Sequence, residues 1–236
     1  MRHQLKLGAP YDQSTPNHPF LIESCFRVGN LSLYPVPMTL LHLLDLLSTF
    51  VFALVGARVA ADKGLDYGGI LFVAGIASVS GGTLRNVFLG LHPIWITDPW
   101  VIVSVISAVI ITTVFRRVTH IGKSLLIMDT FGLAIATMSG GKLALEMHAS
   151  WFAAILLGVI TAVTGGLLRD VLCQLEPVLL HRETIGTSSL MGAITFVGLN
   201  QLHISQNNAA IIGGVVVILT RAISIQFDLH LPKFRK

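Results

Sequence analysis

Two short motifs place an arginine and adjacent glycines inside long apolar stretches. One contains Ser80, Gly81, Gly82, Thr83, Arg85 and Asn86, and the other contains Thr164, Gly165, Gly166, Arg169 and Asp170. Adjacent glycines weaken a helix and let an ion or another backbone approach the main chain. An arginine within a membrane span costs at least about 2.5 to 3.5 kcal/mol and seldom faces lipid. The motifs therefore indicate two places where an ion or small solute meets polar groups inside a membrane.

Both features also have simpler interpretations. Small residues commonly allow close helix packing in membranes, and an arginine near a helix end can extend its guanidinium to the interface. We favour a functional site because the motif occurs twice. If the glycines break their helices, alanine in their place should straighten the helix and close a path. If they serve packing, alanine should disrupt assembly instead.

Two aspartates are candidate partners for the arginines. Asp45 lies about two turns inside the first apolar stretch, and Asp129 lies at the equivalent position of the fourth. A carboxylate at that depth is costly unless it is paired or hydrated. We therefore expect Asp45 to pair with Arg85 and Asp129 with Arg169.

Composition indicates that the elements carrying these residues are membrane helices. Hydrophobic residues make up 53% of the chain and charged residues 12%, whereas a soluble domain has about a quarter charged residues. Mean hydropathy is +0.76. The apolar residues form seven blocks that could cross a bilayer, at 38–57, 67–91, 99–115, 124–138, 149–175, 183–199 and 208–225. We expect the fourth to end at Gly140 and Gly141, where Lys142 would extend to the interface.

The first three blocks and the next three are copies of one another. Asp45 and Asp129 are 84 positions apart, and the same shift superimposes the two glycine–arginine motifs without a gap. Three spans per copy would make the second copy enter the membrane from the opposite side. The predicted fold is an all-α membrane protein of two inverted three-helix repeats and an extra C-terminal helix. Its predicted parts are a poorly ordered extension (1–37), the repeats (38–123 and 124–207), and a last helix with a basic tail (208–236).

Charge and motif content narrow the function. Basic residues lie mostly between the apolar blocks, so they predict topology rather than binding to nucleic acid. Ten lie on the side of the C-terminus and four on the other, which predicts a cytoplasmic C-terminus and an outer N-terminus. Arg58 and Arg221 are counted among the ten, and Lys142 among the four. The sequence contains no recognisable motif for catalysis, nucleotide binding or a metal cluster, so neither an enzyme nor a cofactor is predicted.

The duplicated glycine–arginine motif and the paired aspartates resemble a known family. It comprises the bacterial relatives of the trimeric intracellular cation channels, also described as glycine-transporter-like membrane proteins. The resemblance covers residues 40–225. The family's motif has three consecutive glycines, and this sequence has Ser80 and Thr164 at the first of the three positions. The two copies also differ from one another, because Asn86 in the first is equivalent to Asp170 in the second.

The resemblance implies a homotrimer in the bacterial inner membrane, with a K⁺- and Na⁺-permeable pore in each protomer. It implies kinks at two glycine pairs, Gly81-Gly82 and Gly165-Gly166. The implied polar lining is Ser80, Thr83, Arg85, Thr164, Arg169 and Asp170, with Asp45 and Asp129 as charge partners. A secondary transporter for a small neutral solute such as glycine is the alternative, since broken helices and inverted repeats are common in transporters. An arginine beside the path would disfavour cations unless an acid screens it.

Overall fold

The computed structural model describes residues 40–115, 121–175 and 184–227, and the predicted extension and basic tail lie outside these ranges. The described residues form helices joined by turns. The helices are α1 (Leu40–Asp62), α2 (Tyr67–Phe88), α3 (Ile94–Thr97), α4 (Pro99–Val114), α5 (Ile121–Glu146), α6 (Trp151–Leu172), α7 (Thr184–Gln201) and α8 (Gln206–Gln226). Each predicted block corresponds to one long helix, and α3 is an additional short turn before α4.

The exterior of this bundle is apolar and its interior is partly polar. Large side chains such as Phe72, Ile110 and Ile211 are exposed, whereas the buried face of α1 consists largely of small residues, including Ala53, Ala57 and Ala60. Among the described helices, α1, α2, α6 and α8 are long and apolar enough to cross a bilayer, and α4 is shorter. This distribution is typical of helices that pack through small residues and face lipid with large ones.

The fourth long helix does not end where the sequence predicted. α5 continues through Gly140 and Gly141 to Glu146. A methyl group on Gly140 would lie 2.8 Å from the carbonyl oxygen of Leu157 in α6, so this glycine permits a close helix crossing. Lys142 does not extend to the interface either, because it is 6% exposed and its Nζ donates to Asn207 Oδ1 at 3.0 Å.

Helix ends repeat with the spacing found in the sequence. Asp66 and Ser150 cap the starts of α2 and α6 by accepting a hydrogen bond from the third residue beyond. The residues that end the helices also repeat, because Gly64 and His148 share a positive φ, as do Gly90 and Gln174. The left-handed conformation that ends each helix is thus kept in the second copy without glycine.

Contacts between the two copies are reciprocal. Gly81 of α2 faces the backbone of Thr161 in α6, while Gly165 of α6 faces the carbonyl oxygen of Ala77 in α2. Gly81 and Gly165 are equivalent in the repeat, and so are Ala77 and Thr161. Reciprocal contacts between equivalent residues are what a two-fold relation produces. α2 and α6 therefore cross at an approximate two-fold axis.

The expected break at the glycine pairs is absent, because α2 and α6 run as uninterrupted α-helices through both. The two glycines of each pair have different surroundings. A methyl group on Gly81 would overlap Thr161 O, and one on Gly165 would lie 2.5 Å from Ala77 O. On Gly82 or Gly166 it would meet only an arginine Nη2 of its own helix, at 4.0 or 3.8 Å. The first glycine of each pair therefore serves close packing.

This difference predicts opposite results for neighbouring alanine substitutions. Gly81→Ala and Gly165→Ala should each lower the free energy of unfolding by about 1–3 kcal/mol, because backbone atoms must move apart. Gly82→Ala and Gly166→Ala are the matched controls, and they should be neutral or stabilising because alanine favours a helix by roughly 1 kcal/mol. Thermal unfolding of the purified protein in detergent measures the difference. Equal effects within a pair would contradict the packing role.

Candidate functional site: two buried ion-pair clusters and two cavities

The first cluster joins α1, α2 and α5 around Arg85, whose side chain is completely buried. Its Nη1 donates to Asp45 Oδ1 at 2.8 Å and its Nη2 donates to Asp45 Oδ2 at 3.1 Å, which is a bidentate pair. Nη1 also donates to Ser139 Oγ at 2.7 Å, and Nε donates to Asn86 Oδ1 at 3.0 Å. Ser139 in turn donates to Asp45. All three nitrogens of Arg85 therefore have an acceptor.

The second cluster joins α5, α6 and α8 around Arg169. Its Nη1 donates to Asp129 Oδ1 at 2.8 Å, and its Nε and Nη2 each lie 2.9 Å from Asp170 Oδ1. A second arginine, Arg221 of α8, donates from Nη2 to the other oxygen of Asp129 at 2.9 Å and from Nε to Thr130 Oγ1 at 3.0 Å. Both ion pairs expected from the sequence are thus present, and the second contains an additional arginine.

The additional arginine balances the charge of the second cluster. Asn86 in the first cluster is replaced by Asp170 in the second, which adds one negative charge. Arg221 supplies the compensating positive charge, and it is 2% exposed. A buried charge is strongly destabilising without a partner. α8 is therefore part of the electrostatics of the second repeat.

Two cavities adjoin the clusters at equivalent places in the two copies. The first cavity is bordered by Asp45, Thr49, Ser78, Val79, Gly82 and Thr83, and the second by their equivalents Asp129, Leu133, Ala162, Val163, Gly166 and Leu167. The first cavity has more hydroxyl groups, because Ser48 and Thr161 border it in addition to Thr49, Ser78 and Thr83. Trp95 of α3 also borders it, and its Nε1 donates to Thr83 Oγ1 at 3.1 Å. The second cavity includes the charged groups of Arg169 and Asp170.

The structure separates the predicted lining residues, kink glycines and charge partners into two groups. Those that border the cavities are Asp45, Gly81, Gly82, Thr83 and Gly165 in the first, and Asp129, Gly166, Arg169 and Asp170 in the second. Ser80, Arg85 and Thr164 border neither of these two cavities. Arg85 is enclosed by its acceptors, and Thr164 Oγ1 donates to Ile160 O within its own helix at 2.6 Å.

Sequence reasoning missed Ser139 and Arg221. Arg221 was placed among the loop charges, yet it lies inside α8 and is buried. An arginine within the apolar stretch 208–225 is the same signal that identified Arg85 and Arg169. Arg58, also taken as a loop charge, is buried in α1. For Ser139, a short polar side chain in a run of small residues, the sequence offers no comparable signal.

An apolar exterior, buried ion pairs and an internal duplication together define a multi-pass membrane protein made of two homologous copies. A family model described as "Glycine transporter" matches the chain twice, at residues 42–117 and 126–201. Both ends of the second match lie 84 positions after those of the first, the shift found in the sequence. The chain belongs to this family, and the resemblance based on its motifs is confirmed.

Curated relatives extend over most of the chain. The UPF0126 inner membrane protein YadS of Escherichia coli K12 is 31% identical over 83% of this chain and 96% of its own length. A UPF0126 membrane protein of Vibrio cholerae is 33% identical over 83% of both chains.

Solved structures share the fold. The trimeric intracellular cation channel orthologue from Rhodobacter sphaeroides has a TM-score of 0.75 and 34% identity, covering 80% of this chain and 98% of its own. A second structure, from a study of conductance through TRIC cation channels, has a TM-score of 0.74 and 29% identity, covering 84% of this chain and 98% of its own.

Charge compensation by Arg221 predicts non-additive substitutions. Arg221→Met leaves the second cluster with an excess negative charge, and Asp170→Asn leaves it with an excess positive charge. Each single change should destabilise the protein by about 3–5 kcal/mol, and the double variant should lose clearly less than the sum. Thermal unfolding of the four proteins forms a double-mutant cycle. Additive losses would show that the two charges do not compensate one another.

Proposed function

We propose that this chain forms a monovalent cation channel permeable to K⁺ and Na⁺, with one path per protomer along the crossing of α2 and α6. The observation that carries the proposal is the unequal exposure of the charges beside the first cavity. Asp45 borders this cavity and its side chain is 12% exposed, whereas the side chain of its partner Arg85 is 0% exposed. A cation entering there meets a carboxylate and hydroxyls, while the guanidinium remains behind them.

The arginines do not oppose this proposal. Arg85 is neutralised by Asp45, and the two arginines of the second cluster are matched by Asp129 and Asp170. An acidic group beside a path favours cations, and a neutralised arginine adds little net repulsion. In both copies, therefore, aspartates offset the positive charge of the arginines beside the proposed path.

The relatives support the assembly and the location that we propose. The Rhodobacter sphaeroides orthologue is named a trimeric intracellular cation channel, and YadS is named an inner membrane protein. By this likeness we propose a homotrimer in the bacterial inner membrane. We also propose that the two-fold axis lies in the membrane plane, so that the repeats are inverted and the two cavities open to opposite sides.

Saturable transport of glycine is the alternative, because the matching family is described as a glycine transporter. Reconstitution into liposomes separates the two functions. A channel should give K⁺ flux that rises with the ion gradient without saturating at low concentration. A transporter should instead take up labelled glycine with saturation, and uptake without K⁺ flux would overturn the channel proposal.

The role of Asp45 predicts a charge-dependent effect on flux. Asp45→Asn should lower cation flux at least about tenfold, because it removes the exposed carboxylate and leaves Arg85 positive beside the cavity. A loss of about 1.4 kcal/mol of favourable interaction is enough to give a tenfold change. Asp66→Asn is the matched control, since Asp66 caps α2 outside this cavity and asparagine preserves the cap. Liposome K⁺ flux measures both. Equal effects of the two substitutions would separate Asp45 from the path.

The proposed orientation keeps the C-terminus in the cytoplasm. Without the three buried residues Arg58, Lys142 and Arg221, the basic residues still favour this arrangement by eight to three. Of the native cysteines, Cys173 tests it poorly because it is 4% exposed, and Cys25 lies outside the described residues.

Exposed positions in two loops give a sharper test of orientation. In a background with both native cysteines replaced by alanine, we expect Leu202→Cys to react with an impermeant thiol reagent in intact cells. Lys63→Cys should react only after the membrane is opened. Both positions are exposed, so burial does not limit labelling. The reverse pattern would invert the proposed topology.

A further inference from the structure

Phe52 of α1 occupies the boundary between the two cavities. Of the described residues, it is the one that borders both. Its side chain is 5% exposed and packs among residues of the second repeat, including Leu133 and Ala136. The other residues that border each cavity border that cavity alone, so Phe52 is the side chain that the two cavities share.

Glycines of the second repeat make room for the ring. A methyl group on Gly132 of α5 would lie 3.3 Å from Phe52 Cε1, and one on Gly165 of α6 would lie 3.8 Å from Cδ2. The ring therefore lies between α5 and α6, beside the crossing of the glycine helices. Its position depends on small residues on both sides.

The duplication is asymmetric at this position. The equivalent of Phe52 in the second copy is Ala136, which borders the first cavity. Two rings related by the two-fold axis would compete for the same central space in a close-packed interior. One ring and one methyl group satisfy that limit, so a single side chain fills the centre.

We infer that Phe52 is the apolar barrier between the two cavities, and that its ring sets the resistance of the path. This inference rests on the proposed function, because it assigns the barrier of the same path. An apolar constriction excludes ions by excluding their water. Asp45 and the hydroxyls stabilise the cation on one side of the ring, and Asp129 with Asp170 do so on the other. Displacement or removal of the ring connects the two cavities.

The first experiment measures K⁺ flux of the trimer in liposomes for Phe52→Leu and Phe52→Ala. Flux should rise in the order Phe, Leu, Ala at position 52. Phe52→Ala should exceed the unchanged protein about tenfold or more, because lowering a barrier by about 1.4 kcal/mol raises a rate tenfold. Phe196→Ala is the matched control, because Phe196 is completely buried in α7 and borders neither cavity. It removes the same atoms and should leave flux unchanged. Flux that stays level or falls across the Phe52 series would overturn the inference.

A second measurement does not depend on which solute the protein carries. Leu167→Cys places a thiol on the lining of the second cavity, in the background with both native cysteines replaced by alanine. With Phe52 present, a small impermeant methanethiosulfonate should react from the side of the second cavity only. With Phe52→Ala added, the reagent should react from both sides. This test requires only that the variant folds. If Phe52→Ala does not fold, Phe52→Leu takes its place.

The two measurements distinguish the failure of each proposal. In one outcome, the thiol is labelled from both sides only after removal of the ring, and the liposomes take up glycine in place of K⁺. This outcome would support the barrier and contradict the cation channel. In the other outcome, Phe52 substitutions leave K⁺ flux unchanged and labelling stays one-sided in all variants. This outcome would support the channel and contradict the barrier.

Discussion

A charged guanidinium inside an apolar bundle is the constraint on which the rest of the structure depends. Each arginine must be surrounded by acceptors, because an unpaired charge at that depth would cost more than a helix packing contact returns. Asp45 and Ser139 meet this requirement for Arg85, and they come from different helices. The ion pair therefore fixes the positions of α1 and α5 relative to α2. Helices that share only apolar contacts in lipid have no such orientational restraint.

The duplication explains why the sequence predicted so much of the fold. A shift that superimposes aspartates, glycines and arginines also superimposes helix caps and crossings, because equivalent residues occupy equivalent positions. Both ion pairs could therefore be anticipated from depth alone. The glycine pairs do not break their helices, for a local reason. Gly81 and Gly165 lower helix propensity, but the lateral contact with Thr161 and Ala77 stabilises an unbroken helix.

The features that sequence reasoning missed lie where the symmetry fails. Arg221 and Phe52 have no counterpart of the same type in the other copy, so the repeat could not indicate them. Arg221 belongs to the unpaired α8, and Phe52 is matched by Ala136. Long-range packing decides their roles, and single-sequence patterns contain little information about which distant helix a side chain meets. Phe52 occupies the centre, where two rings related by the two-fold axis would compete for the same space.

The position of Arg221 after Asp129, Arg169 and Asp170 in the chain has a consequence for biosynthesis. Asp129, Arg169 and Asp170 leave the ribosome before Arg221 does, so the second cluster carries one uncompensated negative charge until α8 emerges. The membrane-inserted intermediate must therefore keep Asp170 or Asp129 hydrated, and the arrival of α8 removes that requirement. α8 thus supplies the charge that balances the second cluster, so the second repeat can reach its final packing only after α8 has been synthesised.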